Sequence, residues 1–390
     1  MLPEFPFLAE LVALRRDLHA HPELAFQETR TAEIVARELA RHGLAVQTGY
    51  AQTGVIGVLK AGTSTRRIAL RADMDALPLA EGNTFAHAST HPGRMHACGH
   101  DGHTAMLLGA ARHLAAHPDF DGTVVFIFQP AEEGEGGARA MVEAGLFRDY
   151  PVDSIYGLHN WPDLPVGEMA VHTGMVMAST NRFEIVLRGR GGHAAMPHLG
   201  ADAIVAASQL VVALQSVVAR NLPPTEAAVV SVTRFHAGSA WNVLPEEACL
   251  KGTIRSFSPE IQDRAESAIA RLAEGVAAAH DCRAEVVLTR CYPPTRNSAP
   301  EAALCLEVAR DLLGKEKVHA NAAPSLAAED FAFMLEEKPG CYVWLGNGAG
   351  THKGMSPCAL HNPHYDFDDT ALPIGIAYWV RLVEKLLGKA

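Results

Sequence analysis

The sequence predicts an α/β domain built on a mainly parallel sheet and interrupted by a smaller, ferredoxin-like α+β domain. At 390 residues the chain exceeds the size at which one hydrophobic core keeps growing, so two domains are expected. Its first part alternates strand-like and helix-like segments, as a sheet covered on both faces requires. Near residue 180 the pattern changes to β-α-β-β-α-β, the order of a ferredoxin-like sandwich.

In the first part, residues 28–41 have helical period, with Ala32, Val35, Ala36 and Leu39 on one face. Strands are expected at 54–60 and 67–71, and a helix at 103–116. The apolar run Val124-Val125-Phe126-Ile127-Phe128, bounded by Gly122 and Pro130, reads as a strand buried on both faces. In the inserted block, alternating strands are expected at 183–188, 228–236, 247–256 and 284–290, with helices at 201–220 and 260–279. Helices on one face of such a sheet leave the other open to a second copy. Segments 172–179 and 292–298 hold the Gly, Pro and Ser of hinges. The expected division is 1–179 and 293–390 for the α/β domain and 180–292 for the insertion.

Composition narrows the function classes. The formal charge of −11, with no Lys/Arg-rich run, argues against a nucleic-acid surface. The start of the sequence carries Glu4 and Glu10 and lacks the basic-then-apolar order of a signal peptide. Residues 203–219 contain no charge, but they are short for a bilayer and are interrupted by Ser208, Gln209, Gln215 and Ser216; they read as a buried amphipathic helix. Seven scattered cysteines fit free thiols in a reducing compartment. A cytoplasmic protein with no membrane partner is expected.

Ionisable residues concentrate in the segments around Asp73 and Asp75, Cys98 to His103, Glu132-Glu133, His159-Asn160 and His361 to His364, each at a strand end or loop start. Open α/β sheets gather their sites there. A thiolate and an imidazole both suit borderline-soft divalent ions, and in extended backbone Cys98 and His100 would share a face. The pair also admits a buried thiol beside a capping His, or a Cys98 nucleophile with His100 as base. The surrounding carboxylates would raise the thiol pKa and disfavour the last. Glu132-Glu133 directly after a buried strand needs a partner, since adjacent carboxylates repel each other without a cation nearby. An exposed turn is the alternative, but other turn residues would serve there equally well, whereas in a metal hydrolase one binds the metal and the other handles the proton of the bound water. His159 and His361 are single histidines among 20, sharing the context Leu-His-Asn. Asp73 or Asp75 can reach a metal or orient a ligand, or Asp75 can cap the turn before Pro78. Glycines flank His193, which marks a ligand approach or simply a bulge.

Together these segments, with Leu18 to Leu24, Gly189 to His198, Asn242 to Pro245, Gly252 to Arg255, Glu329-Asp330-Phe331 and Leu360 to Asp369, resemble the M20 metallopeptidase family, in its branch of N-acyl-amino-acid amidohydrolases and hippurate hydrolases. The resemblance runs through nearly the whole chain. It implies a zinc-peptidase-like catalytic domain carrying two metals, and a lid domain that also dimerises. It implies Cys98, His100, Glu133, His159 and His361 as metal ligands, Glu132 as general base, and Asp75 as the Asp supporting the metal centre. His193 takes the place of the lid His that stabilises the oxyanion from the neighbouring subunit; Asn242 and Arg255 take those of substrate contacts. Two departures stand out. Ala327-Ala328 replaces the usual Gly-Ser before Glu329, and Asp73 stands where the wider family commonly has His, leaving its contact with metal open.

The expected function is therefore hydrolysis of the amide bond of N-acyl-L-amino acids by a dimer or higher homo-oligomer with two divalent ions: zinc, manganese, cobalt or nickel. The alternatives are a dipeptidase or aminopeptidase with the same centre, and a metal-binding protein without catalysis.

Overall fold

The computed structural model describes residues 3–320, 322–348 and 358–389. The elements used below are, in chain order, α1 (Leu8–Ala20), α2 (Thr29–Arg41), β1 (Ala45–Tyr50), β2 (Gly54–Ala61), β3 (Arg67–Asp73), α3 (His100–Ala116), β4 (Gly122–Gln129), β5 (Ser154–Trp161), β6 (Met169–Val171), β7 (Thr180–Arg188), α4 (Ala203–Ser216), β8 (Ala228–Ala237), β9 (Glu247–Ser256), α5 (Pro259–Ala279), β10 (Arg283–Tyr292), α6 (Ala299–Leu313), β11 (Val318–His319), β12 (Gly340–Gly346) and α7 (Leu372–Leu387). The chain forms two compact units. The larger comprises Met1–Val176, Arg296–Ala323 and Asp330–Ala390; the smaller comprises Met177–Thr295 and Pro324–Glu329.

The larger unit is an eight-stranded sheet in the order β1-β2-β4-β3-β5-β12-β6-β11. The pairs β3–β4, β3–β5 and β5–β12 are parallel, and β1–β2, β2–β4 and β6–β12 are antiparallel. In β4, Val124, Val125, Phe126, Ile127 and Phe128 are all buried, so both faces of the strand are covered as an apolar run without alternation requires. Asp73 lies opposite Gln129 and Arg71 opposite Gly157. The carboxyl ends of β3, β4 and β5 are thus level, and the loops that follow them meet at one edge of the sheet.

In the smaller unit the four-stranded antiparallel sheet has the order β8-β9-β7-β10. Phe183, Ile185 and Leu187 of β7 point into a core shared with α4 and α5, while Arg182 and Arg188 are exposed on the opposite face. Asp202 caps α4 by accepting the N–H groups of Ile204 and Val205; Ser258 caps α5 through Ile261, with Pro259 at the first helical position.

Two expectations need correction. The segment 203–219 is not simply buried. Ala203, Ala206, Ala207, Leu210 and Leu214 enter the core, but Val205 and Val212 on the far side are exposed. By length and composition this helix would suffice to cross a membrane. Nor are Cys98 and His100 in extended backbone: Gly99 is left-handed (φ +90°) and His100 is the first residue of α3. Gly99 is required twice, since a Cβ there would also strike the Asn160 amide and the Tyr365 hydroxyl.

A buried ion cluster ties α1 to the start of α3. The Arg15 guanidinium bonds Asp101 (3.3 Å), Asp366 (2.8 Å) and Asp369 (2.9 Å), and His19 bonds Asp101 (2.9 Å) and Glu81 (3.3 Å). Burial works against the His19 charge, but the hydrogen bonds to Asp101 and Glu81 outweigh it and hold its pKa up at about 9. Arg15→Met should therefore cost ~3–5 kcal/mol, because it strands buried carboxylates. Arg16→Ala, removing a half-exposed partner of the same Asp369, should cost under about 1 kcal/mol. Urea midpoints at constant slope measure both. A raised His pKa stabilises fully below the unfolded value of about 6.5 and is lost as pH rises through the folded one. Between pH 6.5 and 9, His19→Asn should thus flatten the decline of stability seen in the parent.

Candidate metal centre

The turn after β4 sets the site. Asp75 accepts the N–H of Glu132 at Oδ1 (3.0 Å) and of Glu133 at Oδ2 (2.9 Å), so one side chain fixes both glutamates. Glu132 Oε1 accepts the N–H of Asp330 (3.2 Å). Glu133 Oε1 faces His361 Nε2 at 3.2 Å and His100 Nε2 at 4.0 Å and is in hydrogen-bond geometry with neither.

The histidines are oriented through their other nitrogens. His100 Nδ1 donates to the carbonyl of Asp75 (2.8 Å) and His159 Nδ1 to that of Asn160 (2.6 Å), leaving both Nε2 atoms turned inward. His159 Nε2 lies 3.4 Å from the Cys98 Sγ. His361 has a left-handed backbone (φ +64°) and is anchored by its N–H on the Ala97 carbonyl (2.8 Å). Ala131, which precedes Glu132, is also left-handed (φ +55°). Such backbone persists where its surroundings impose it.

Ligand atoms of Cys98, Glu133 and His361 lie within 4.8 Å of one another, as do those of His100, Glu132 and Glu133. Ligands of one tetrahedral ion are roughly 3.3–3.8 Å apart at ordinary bond lengths. Among the described residues the buried His100 Nε2 has no hydrogen-bond partner, nor has Glu133 Oε1, 4.0 Å from it. Unsatisfied lone pairs among surplus carboxylates are what a divalent cation fills, so the residues fit a metal centre.

A third group, Asp73, His100, His103 and His159, has the same spacing but a different character. His103 Nδ1 donates to Asp73 Oδ1 (2.6 Å), and its Nε2 accepts the backbone N–H of Asn160 (2.9 Å), so neither nitrogen is available. Asp73 Oδ2 takes Arg71 Nη1 (2.7 Å). Arg71 also reaches Asp330 (3.0 Å), which Gln129 and the Ala138 N–H hold as well. Asp73 and His103 thus brace the strands that carry the ligands.

Electrostatics follow from this crowding. Burial raises the Cys98 thiol well above its usual range, and Glu133, Glu132 and Asp73 push it further. Burial opposes the charge on His100, yet Asp73, Asp75 and Glu133 prevail and raise it to about 10. For His159 burial and His103 both act downward. Asp73 is held well below the carboxylate range against burial by His100, Arg71 and His103.

The larger unit therefore brings together Cys98, His100, Glu132, Glu133, His159, His361 and Asp75, all singled out in the sequence. The remaining candidates lie in the smaller unit. His193 pairs with Val243, and Asn242 accepts the N–H of Ala194 (3.1 Å), so His193 and Asn242 are neighbours. Arg255 is on β9, lining a cavity of about 540 Å³ with Arg182 and Lys251. Around Ala327, the Ala178 N–H donates to the carbonyls of Ser325 and Ala327 (3.0 Å each), so backbone bonds hold that segment. Arg71, His103 and Gln129 had no assigned role; the one sequence signal was Arg71 and Asp73 sharing a face of β3.

The model of peptidase family M20/M25/M40 matches residues 69–385. The chain belongs to this family. It is 42% identical to N-acetylcysteine deacetylase of Bacillus subtilis, over 96% of both chains, and 40% identical to hippurate hydrolase of Campylobacter jejuni, over 99% of both. Among solved structures, the YXEP protein of Bacillus subtilis, described as a dinuclear metal-binding peptidase of the M20 family, matches at a TM-score of 0.84 with 38% identity, over 97% of each chain.

Since His103 joins Asp73 to the strand bearing His159, His103→Ala should weaken zinc binding by ~10–100-fold, the usual cost of losing such a support. Isothermal titration of the metal-free protein with zinc measures it.

Proposed function

We propose that the protein is a metal-dependent amidohydrolase that cleaves N-acyl-L-amino acids into a carboxylic acid and a free amino acid. The observation that carries this is the division of labour in the Glu132-Glu133 turn. Both N–H groups are fixed on Asp75; Glu133 joins the ligand atoms of Cys98 and His361 as well as His100, while Glu132, within 4.8 Å of the His100 and Glu133 ligand atoms, is held at Oε1 by the Asp330 N–H. The substrate class is supported by relatives named as an N-acetylcysteine deacetylase and a hippurate hydrolase.

Cys98, His100, Glu133, His159 and His361 would hold two divalent ions; their donor set suits zinc, manganese, cobalt or nickel. When bound, the ions supply Lewis acidity to the scissile carbonyl and make water a stronger acid. Glu132 takes the proton of the attacking water and passes it to the amide nitrogen as the C–N bond breaks, so the amine leaves neutral and the carboxylate is regenerated. Asp75 keeps that carboxylate in place. His193 Nδ1 accepts the Ala195 N–H (3.1 Å), which puts the proton of the neutral ring on Nε2 as a donor to the oxyanion. In our reading this His193 serves a neighbouring subunit of a homodimer, and Asn242 and Arg255 receive the substrate carboxylate. A cytoplasmic location is part of the same proposal.

Glu132→Gln should keep its metal, by elemental analysis, while kcat on benzoyl- and acetyl-amino acids falls ~10²–10⁴-fold. An active Glu132→Gln enzyme overturns the assignment, and faster cleavage of Gly-X dipeptides than of acyl-amino acids overturns the substrate class. Mixing inactive His193→Ala and Glu132→Gln chains should restore part of the activity if His193 acts across subunits; no restoration removes that role.

A further inference from the structure

Glu28 is fully buried and belongs to no part of the machinery above. It occupies the N-cap position of α2, yet its side chain makes no capping bond. That task falls to Glu23, whose oxygens accept the N–H groups of Arg30 (3.0 Å) and Thr31 (2.8 Å). Glu28 turns instead towards the turn after β4. Its Oε1 accepts the N–H of Ala131 (2.8 Å) and of Phe26 (3.1 Å), and its Oε2 the hydroxyl of Thr53 (2.5 Å). Ala131 and Phe26 are both left-handed, at φ +55° and +58°. The consecutive N–H groups of Ala131, Glu132 and Glu133 are therefore all taken by carboxylates, the first by Glu28 and the next two by Asp75.

A helix cap would not need this residue, and burying a carboxylate next to Asp75 is unfavourable: burial and Asp75 together push Glu28 up to about 7, against the hydrogen bond from Thr53. A left-handed alanine is unfavourable unless its surroundings hold it. Losing the acceptor would leave the Ala131 N–H buried and unpaired. The turn would relax there first, one residue before Glu132.

We propose that Glu28 is a positioning residue: by fixing the left-handed Ala131 it sets the direction of the Glu132 and Glu133 carboxylates. This rests on the hydrolase reading for its kinetic consequence but not for its structural one. In Glu28→Met both acceptor oxygens are lost at similar side-chain volume, so the Ala131 N–H loses its partner. The variant should show kcat reduced ~10–100-fold with KM within about threefold, zinc affinity weakened ~10-fold or more, and faster deuterium uptake in residues 129–136 of the metal-free protein. Glu23→Ala, which loosens the start of the same helix, should lower Tm and leave those readouts unchanged. If Glu28→Met does not fold, Thr53→Val should move all three in the same direction by less, and Thr53→Ser should restore them. A folded Glu28→Met, or failing that a Thr53→Val, with parental deuterium uptake and zinc affinity overturns the proposal. So does a Glu23→Ala that reproduces the same losses. An unmutated protein inert on every N-acyl amino acid sinks the hydrolase reading instead, and exchange and zinc binding then decide on Glu28.

Discussion

Negative charge gathered at the carboxyl ends of β3 and β4 is the constraint on which the rest of the larger unit depends. Asp73, Asp75, Glu132 and Asp330 are buried there, with Glu133 nearly so, and Arg71 is the guanidinium placed among them. A carboxylate out of water must find a cation or several donors. Asp73 finds Arg71 and His103; Asp330 finds Arg71, Gln129 and a backbone N–H; Asp75 finds two backbone N–H groups. Glu133 Oε1 and His100 Nε2 then face each other without a hydrogen bond. The fold has satisfied its interior charges selectively and left a divalent cation to satisfy the remainder.

That selectivity is paid for in backbone geometry. Ala131 and His361 take left-handed conformations uncommon for non-glycine residues, and Gly99 permits the abrupt entry into α3 that aims His100 at the site. The level parallel strands make these local bends sufficient: the turn after β4 and the end of β5 already start from one edge of the sheet, so a few residues of irregular backbone bring the ligands together.

What was legible in the sequence divides along physical lines. The apolar run of β4 and the alternation in β7 and β9 report burial directly, so the strands and the change of pattern near residue 180 could be read. The charge-free run in α4 could not reveal that Val205 and Val212 stay outside, because composition has no direction. At the site, Glu132-Glu133 after a buried strand and the Cys98-Gly99-His100 spacing have chemical meaning of their own, although Gly99 breaks the extended backbone that would put the second pair on one face. His159 and His361 rested on resemblance, since a single His has no local signature. The supports were invisible for another reason. Arg71 meets Asp330 across 259 positions and Glu28 meets Ala131 across 103, and nothing in either neighbourhood announces the partner.

The remaining ambiguity of the Cys98 segment yields to the same electrostatics. A cysteine nucleophile needs a thiolate near neutral pH, hence a positive surrounding such as an imidazolium, a guanidinium or a helix N-terminus aimed at the sulfur. Cys98 has burial, Glu133, Glu132 and Asp73 acting in the opposite direction, and the imidazole 3.4 Å from its sulfur, His159, is held neutral by burial and His103. The thiol alone would stay protonated and inert. A divalent cation inverts the balance, because its charge exceeds that of any one carboxylate and a coordinating thiol gives up its proton. The features that disqualify Cys98 as a nucleophile are thus the ones that suit it as a ligand. Glu132 and Glu133, chemically identical, likewise differ in their partners: Oε1 of the first accepts the Asp330 N–H, and the second joins the ligand atoms of Cys98 and His361.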